Sequence, residues 1–300
     1  MQILDVHIHA RNTKPDPQFL LKEMEKAGIY GGCVFSNSPK ENNPLKGSSY
    51  EDRIKEVFGW TKGYEGRLFP ILFINPYEDG IISKIEDAVG KGMDGFKMIC
   101  TNYYVYEDAC MKALQKIADL GKPVFFHTGI LWGGKVSSNY NRPLNFEHLL
   151  EIKNLRFSMG HCSWPWVDEC IALYGKFLNA LVTGTNSAEM YFDITPGTPP
   201  IYREELLKKL YFVGYDVPDN ILFGTDASAG TYRAEWAQKW LKIDGDILDK
   251  YEIPERLRQK MYHDNVLRFL GKTPTTFKHL SPVTDNSNTW TPDYVREEER

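Results

Sequence analysis

The stretch 107-EDACMKALQKIADLGKPVFFH-127 shows the pattern that runs through the whole chain. Its apolar residues first recur at helical spacing, Gly121 and Pro123 then end the helix, and a short apolar run leads directly to His127. A continuous apolar run of this kind is typical of a parallel strand that helices cover. The stretch therefore predicts a helix followed by a buried strand that ends on a histidine.

The same alternation of helix and strand continues along the chain. Short apolar runs predict eight strands, at residues 2–9, 32–36, 68–75, 94–100, 123–127, 156–161, 190–195 and 220–226. Helical spacing predicts helices at 17–27, 50–64, 79–91, 107–120, 145–152, 166–174, 202–210, 233–240 and 254–270. This order predicts an α/β fold, a (β/α)8 barrel of the TIM type. We expect residues 1–271 to form one catalytic barrel, and the tail 272–300 is assigned no role.

Composition narrows the classes of partner. The net charge of -4 has no long run of one sign, which argues against nucleic acid and anionic membranes. No apolar run approaches about 20 residues, so no membrane span is expected. Five cysteines form no CxxC pair, which favours reduced thiols and a cytoplasmic location. The expected partner is a small molecule, and a homo-oligomer is compatible with this composition.

The first predicted strand ends in a histidine pair. Because side chains alternate along a strand, His7 and His9 are expected to point together into the barrel, with Val6 and Ile8 facing the helices. Neutral imidazole is the commonest zinc ligand, and two of them at this spacing can bind one ion. Alone, the pair also fits histidines of an ordinary core or surface.

Three further polar residues stand at predicted strand ends, namely His127, His161 and Asp226. Active sites of such barrels lie at the carboxyl ends of the strands. His127 as a core histidine and Asp226 as a loop cap are the structural alternatives. With His7 and His9, however, they supply three imidazole nitrogens and one carboxylate oxygen. That set suits one divalent transition metal, with zinc favoured and manganese or iron as alternatives.

These motifs resemble the amidohydrolase superfamily, in particular its amidohydrolase-2 branch with the aminocarboxymuconate-semialdehyde decarboxylase-like enzymes. The resemblance rests on DVHIH (5–9), GFK (95–97), PVFFHTG (123–129), MGH (159–161), ILFGTD (221–226) and HDNVLR (263–268). It implies that His7, His9, His127 and Asp226 are metal ligands. It also implies that His161 stands beside the metal water or a substrate oxygen.

Chemical reasoning gives Asp226 and His161 matching roles. A metal ion brings the pKa of a bound water down to about 7. Asp226 is expected to take the proton of that water and pass it to the leaving group, while His161 stabilises charge on the attacked carbonyl oxygen. Both are therefore predicted catalytic residues.

Lys97 has two interpretations. In binuclear relatives a lysine on the fourth strand is carboxylated and bridges two metals, whereas we favour substrate contact. The branch that the chain resembles usually continues with an apolar residue and His-Pro, and here Met98-Ile99-Cys100 follow. Fine substrate assignments from relatives are therefore not carried over.

Four residues are predicted to bind the substrate. Lys97 and Arg142 offer cations for a carboxylate. Trp132 and Trp164 offer aromatic walls for a planar or ring substrate, with simple packing of the loops as the structural alternative. Together they predict a small organic acid, either cyclic or unsaturated.

The predicted reaction is hydrolysis of an amide or lactone bond, with non-oxidative decarboxylation on the same site as the alternative. Polymerase-and-histidinol-phosphatase-like phosphoesterases also begin with HxH, but they carry more histidines and a late Asp-x-His, whereas Ala227 and Ser228 follow Asp226 here. TatD-like nucleases usually have a glutamate where this chain has Lys97. A non-catalytic barrel is disfavoured because the ligand set is intact.

Overall fold

The computed structural model describes residues 1–11 and 13–272. Its strands are all parallel and form one sheet in the order β8-β7-β6-β5-β4-β3-β2-β1-β9. They are β1 (Leu4–His9), β2 (Gly31–Phe35), β3 (Leu68–Phe73), β4 (Gly95–Met98), β5 (Pro123–Phe126), β6 (Arg156–Met159), β7 (Glu189–Asp193), β8 (Ile221–Leu222) and β9 (Ala227–Ser228).

The sheet closes through one interrupted segment, since β8 and β9 are two parts of residues 221–228. β8 pairs with β7, while β9 pairs with β1 through Ile8 and Ala227. Between them the Val6 amide donates to the Phe223 carbonyl over 3.0 Å. The sheet is therefore an eight-stranded barrel, and the predicted fold class is confirmed.

Helices cover the outside of this barrel. They are α1 (Pro17–Lys26), α2 (Tyr50–Thr61), α3 (Ile81–Gly90), α4 (Asp108–Asp119), α5 (Val167–Val182), α6 (Arg203–Phe212), α7 (Ala234–Lys250), α8 (Glu255–Gln259) and α9 (Asn265–Phe269). α5 and α7 are longer than predicted. The segment Pro143–Glu151 is a 3₁₀ helix, and a π-helical turn, Lys260–Asp264, separates α8 from α9.

The core has an inner and an outer part, as neighbouring residues of one strand show. On β5, Phe125 packs inside the barrel and Phe126 packs against the helices. Inside, Phe125 contacts Phe35 and Phe269 at ring-centroid distances of 5.1 and 4.8 Å. Because Phe269 belongs to α9, this last helix closes one end of the barrel. The other end, where the strands terminate, holds the polar residues.

β1 departs from strict alternation. Its pairing register with β2 shifts between Asp5 and Ile8. Val6 packs with the inner cluster and Ile8 with the outer one, while His7 also contacts the inner residue Phe35 at 4.8 Å. The prediction that Val6 faces the helices was therefore wrong, because a bulge turns two successive residues inward.

Two buried ion pairs fix strand ends to the surrounding helices. The Arg203 guanidinium binds both oxygens of Asp244 at 2.7 and 2.8 Å and donates to the carbonyl of Ile194, just after β7. Arg53 likewise pairs with Glu78 and donates to the last carbonyl of β3. Such pairs satisfy carbonyls that the sheet leaves open at its rim.

All five cysteines lie within the described ranges, are buried and form no disulfide. Within the described part of the chain, no helix is long and apolar enough to cross a membrane. Beyond Lys272, the predicted tail lies outside the described residues.

Candidate metal centre

A compact group of candidate ligands comes from β1 and from the turn between β8 and β9. The ligand atoms of His7, His9 and Asp226 all lie within 4.8 Å of one another. His9 Nε2 is 3.1 Å from Asp226 Oδ1. β1 supplies both histidines from adjacent inward positions, and Asp226 is turned towards them by a left-handed backbone conformation, with φ of 55°.

His9 and Asp226 fit a metal ion in spacing, and all three residues fit one in protonation state. Two ligands about 2.0–2.1 Å from a tetrahedral zinc ion lie about 3.3 Å apart, close to the separation of His9 from Asp226. Burial lowers the pKa of His7 to about 3 and lowers that of His9, so both imidazoles are neutral at pH 7. Burial alone raises the pKa of Asp226, but the hydrogen bond with His9 outweighs it and holds that pKa below its usual range.

His127 lies in the same cleft, outside the group of three. Its Nε2 is 3.2 Å from the carbonyl of Ile130, which leaves Nδ1 as the nitrogen for a metal. Burial lowers the pKa of His127 well below its ordinary value, so this ring is also neutral at pH 7. His127 therefore lines the cleft with a neutral ring, although it does not belong to the compact group formed by His7, His9 and Asp226.

His161 faces both of these groups. Its ring centroid is 5.3 Å from that of His7 and 4.9 Å from that of His127. Its Nδ1 lies 3.2 Å from the Thr195 carbonyl, to which it can donate, and this leaves Nε2 available to a substrate. Gly197 lies against the ring: a Cβ there would be 2.6 Å from Cγ of His161. The imidazole is therefore held firmly in place.

Lys97 is buried beneath the cluster, with 1% of its surface exposed. Its Nζ has no hydrogen-bond partner among the described residues and lies 5.2 Å from the Phe35 ring. Burial lowers the pKa of this ammonium to about 8, against the pull of Asp193 and Asp226. The group is therefore a cation at neutral pH that still lacks an acceptor.

The cluster opens into a cleft of about 310 Å³. Trp132 and Trp164 form one wall, with their rings 6.2 Å apart and 17° from parallel. Trp132 is 77% exposed and stands at the mouth. Both tryptophans and Lys97 thus line the same cleft as the candidate ligands.

Arg142 is placed elsewhere. Its guanidinium binds the carboxylate of Glu169 near the start of α5 at 2.9 Å and stacks over Trp166, outside the residues that line the cleft. The expected contact between Arg142 and substrate does not agree with this arrangement. The position of Arg142 after a predicted strand end had suggested that its side chain lies in the cleft. Instead the loop folds back onto α5, and the guanidinium pairs with Glu169.

Two residues of the site were missed from the sequence. Arg11 lines the cleft and its Nη2 is 3.5 Å from Asp226 Oδ1. It continues the spacing of His7 and His9 by two residues, so that spacing could have revealed it. Asp193, the last residue of β7, lies 2.6 Å from His7 Nδ1. Its place at the end of a predicted strand was the available signal.

Asp5 ties the cluster to the closing segment of the barrel. Its carboxylate accepts hydrogen bonds from the amides of His7 and Thr225 at 3.0 Å each, and from the hydroxyls of Thr225 and Tyr232 at 2.5 and 3.0 Å. These bonds join β1, which carries two candidate ligands, to the strand end that carries the third. Asp5 thereby holds together the two segments that carry His9 and Asp226.

A parallel barrel with histidines and an aspartate gathered at its strand ends defines an α/β-barrel enzyme scaffold with a candidate metal centre. Residues 5–272 match the family model described as amidohydrolase, and the chain belongs to that family. The resemblance found in the sequence is thus confirmed. Members of this family generally use divalent metals. No curated protein sequence matches the chain.

Solved structures agree on the fold. A probable 2-pyrone-4,6-dicarboxylic acid hydrolase from Acinetobacter baumannii superposes with a TM-score of 0.59 at 12% identity, covering 90% of this chain and 100% of that one. A dihydroorotase from Campylobacter jejuni gives 0.56 at 16% identity, covering 91% and 84%. A D-hydantoinase gives 0.59 at 11% identity, covering 89% and 70%. At these identities the likeness concerns the fold alone.

Proposed function

We propose that this protein is a metal-dependent hydrolase that cleaves an amide or lactone bond of a small organic acid. The observation that carries the proposal is the convergence of His7, His9 and Asp226 within 4.8 Å. They line a cleft together with Lys97, whose ammonium has no hydrogen-bond partner among the described residues. Membership of the amidohydrolase family supports the reaction class. The proposed ligands are these three residues and His127, and zinc is the proposed ion.

The chain's own residues divide the work. A divalent ion bound by these ligands supplies a water of lowered pKa and polarises the substrate carbonyl. Asp226, ionised at neutral pH, accepts the proton of the attacking water and passes it to the leaving nitrogen or oxygen. His161, through Nε2, stabilises the negative charge that grows on the carbonyl oxygen. Neither step needs an electron donor or acceptor.

Substrate recognition follows from the two cations. Lys97 offers a buried ammonium with no acceptor in the described molecule, and Arg11 offers a guanidinium on the lining of the cleft. Both bind carboxylates well, and Trp132 and Trp164 add a planar wall. We therefore propose a cyclic acid with one or two carboxylates. The name of one structural neighbour, a probable 2-pyrone-4,6-dicarboxylic acid hydrolase, is consistent with that class.

The test is a panel of cyclic amides and lactones with no, one or two carboxylates, assayed with zinc-loaded protein in oxygen-18 water. The expected result is ring opening with one solvent oxygen in the product, faster for the acids than for uncharged analogues. Carbon dioxide is measured in the same samples. Its stoichiometric release, with no solvent oxygen incorporated, would contradict hydrolysis and favour the decarboxylase alternative.

A matched pair of variants shows whether the cleft is responsible. Asp226→Asn is expected to abolish turnover. Asp246→Asn removes an aspartate of α7 that is 65% exposed and pairs with Lys242, so it should leave turnover unchanged. Equal activity in the two variants would assign the reaction to another place or to a contaminant.

A further inference from the structure

Asp193 is held in one position by contacts to both of its oxygens. The residue is wholly buried at the end of β7. Its Oδ1 accepts the amide hydrogen of Thr195 over 2.9 Å, and its Oδ2 lies 2.6 Å from Nδ1 of His7. A carboxylate fixed in this way can in turn fix its imidazole partner.

The contact decides which nitrogen of His7 is left for a metal. A neutral imidazole has one N–H, and an ionised carboxylate can only accept. The hydrogen therefore sits on Nδ1 and points to Asp193, so that Nε2 carries the lone pair. His7 is itself 1% exposed and packs against the rings of Phe35 and His161, so the imidazole is held in this orientation.

We infer that Asp193 is a positioning residue of the metal centre, which sets the tautomer and orientation of His7 without itself binding the ion. The inference rests on the proposed metal centre and goes beyond it, because none of the motifs quoted from the sequence includes this residue. A carboxylate behind a ligand imidazole also makes that imidazole a stronger donor. The carboxylate should therefore contribute to metal affinity from a place the ion never touches.

The chain offers a matched control in Asp244. This residue is also wholly buried, and it binds Arg203 at 2.7 and 2.8 Å on the outer side of the barrel. Asp193→Asn and Asp244→Asn each remove one buried carboxylate charge with the same change of atoms. Only the first removes it from behind a candidate ligand.

The first experiment measures zinc affinity by competition with a chromophoric chelator at fixed pH. Asp193→Asn is expected to weaken zinc binding about 10–100-fold, the usual effect of losing such a partner. Folded Asp244→Asn is expected to retain the parent affinity, although its melting temperature falls. Zinc affinity within twofold of the parent in Asp193→Asn, or an equal loss in both variants, would overturn the inference.

The second experiment needs no variant of Asp193 and no metal. Nitrogen-15 NMR of histidine-labelled, metal-free protein reports which ring nitrogen of His7 carries the hydrogen. Protonated Nδ1 with unprotonated Nε2 is expected, and the opposite tautomer would refute the role of Asp193. Because neither experiment uses turnover, failure to find hydrolysis would count against the proposed function and leave this inference standing.

Discussion

At the scale of single residues, Lys97 occupies a position that lowers the stability of the fold but leaves its ammonium available to a ligand. Its buried ammonium has no hydrogen-bond acceptor in the described part of the chain. Such a group costs free energy in the folded state, because it has lost water without gaining a hydrogen bond. Stability is commonly given up in this way where a group must be ready for a ligand. We interpret Lys97 as such a group, and we propose that its ammonium binds a substrate carboxylate.

Lys97→Met is therefore expected to stabilise metal-free protein by about 1–3 kcal/mol at pH 7. The folded pKa of Lys97 is about 8 and its ordinary value is 10.5, so the folded state is penalised fully below pH 8. As pH rises from 8 to 10.5 the unfolded lysine also becomes neutral and the advantage of methionine fades. Urea unfolding across this range measures it.

The control for that experiment is Lys116→Met, since Lys116 lies on the surface and pairs with Glu86 at 2.8 Å. Its removal should change the free energy of unfolding by less than about 1 kcal/mol. A destabilised Lys97→Met protein at pH 7 would show that the ammonium has a favourable partner after all.

His161 should affect turnover far more than metal binding. His161→Asn is expected to slow kcat by about two to four orders of magnitude, the range for a lost acid/base or electrostatic group. Zinc content should stay at the parent level, whereas Asp226→Asn should lose both turnover and affinity. Elemental analysis measures the zinc content of both variants, and steady-state kinetics measures their kcat. Full activity of zinc-loaded His161→Asn would remove it from the mechanism.

At the scale of elements, the strand ends of this barrel turn back over the cleft through left-handed residues. Arg11, His161 and Asp226 have φ of 53°, 57° and 55°, a conformation that residues other than glycine rarely adopt. Each costs about 1–3 kcal/mol and persists only where surrounding contacts enforce it. At His161 those contacts are the Thr195 carbonyl and the face of Gly197.

Gly197→Ala tests that enforcement. The new Cβ would lie 2.6 Å from Cγ of His161, so the ring must shift. If the imidazole of His161 is displaced by about 1 Å, kcat is expected to fall roughly 100-fold. Zinc content is expected to stay unchanged. Gly245→Ala on α7 is the control, because a Cβ there meets open space. Parent-like kcat in Gly197→Ala would mean that the ring position is not critical.

At the scale of the whole molecule, the sequence predicted the features that depend on local patterns and missed those that depend on contacts between distant segments. Eight strands and the positions of His7, His9, His127 and Asp226 follow from local patterns, since a parallel strand places its last residue at the rim. The bulge in β1, which brings Val6 inside, depends on pairing with β2. The partner of Arg142 depends on how a loop folds back, and no local pattern records that.

The closure of the barrel ties metal binding to the stability of the fold. The proposed ligands come from β1, the end of β5 and the turn between β8 and β9, so one ion would link the first strand to the last. At a free zinc concentration 100 times Kd, the folded state should gain about 2.7 kcal/mol, seen as a raised melting temperature. His7→Ala should lose this gain, whereas His148→Ala, which alters an exposed histidine of the Pro143–Glu151 helix, should keep it.

Elemental analysis is expected to find one equivalent of metal per chain. Two tightly held equivalents with a carboxylated Lys97 would replace the mononuclear centre by a binuclear one, and a melting temperature that zinc leaves unchanged would contradict the site itself.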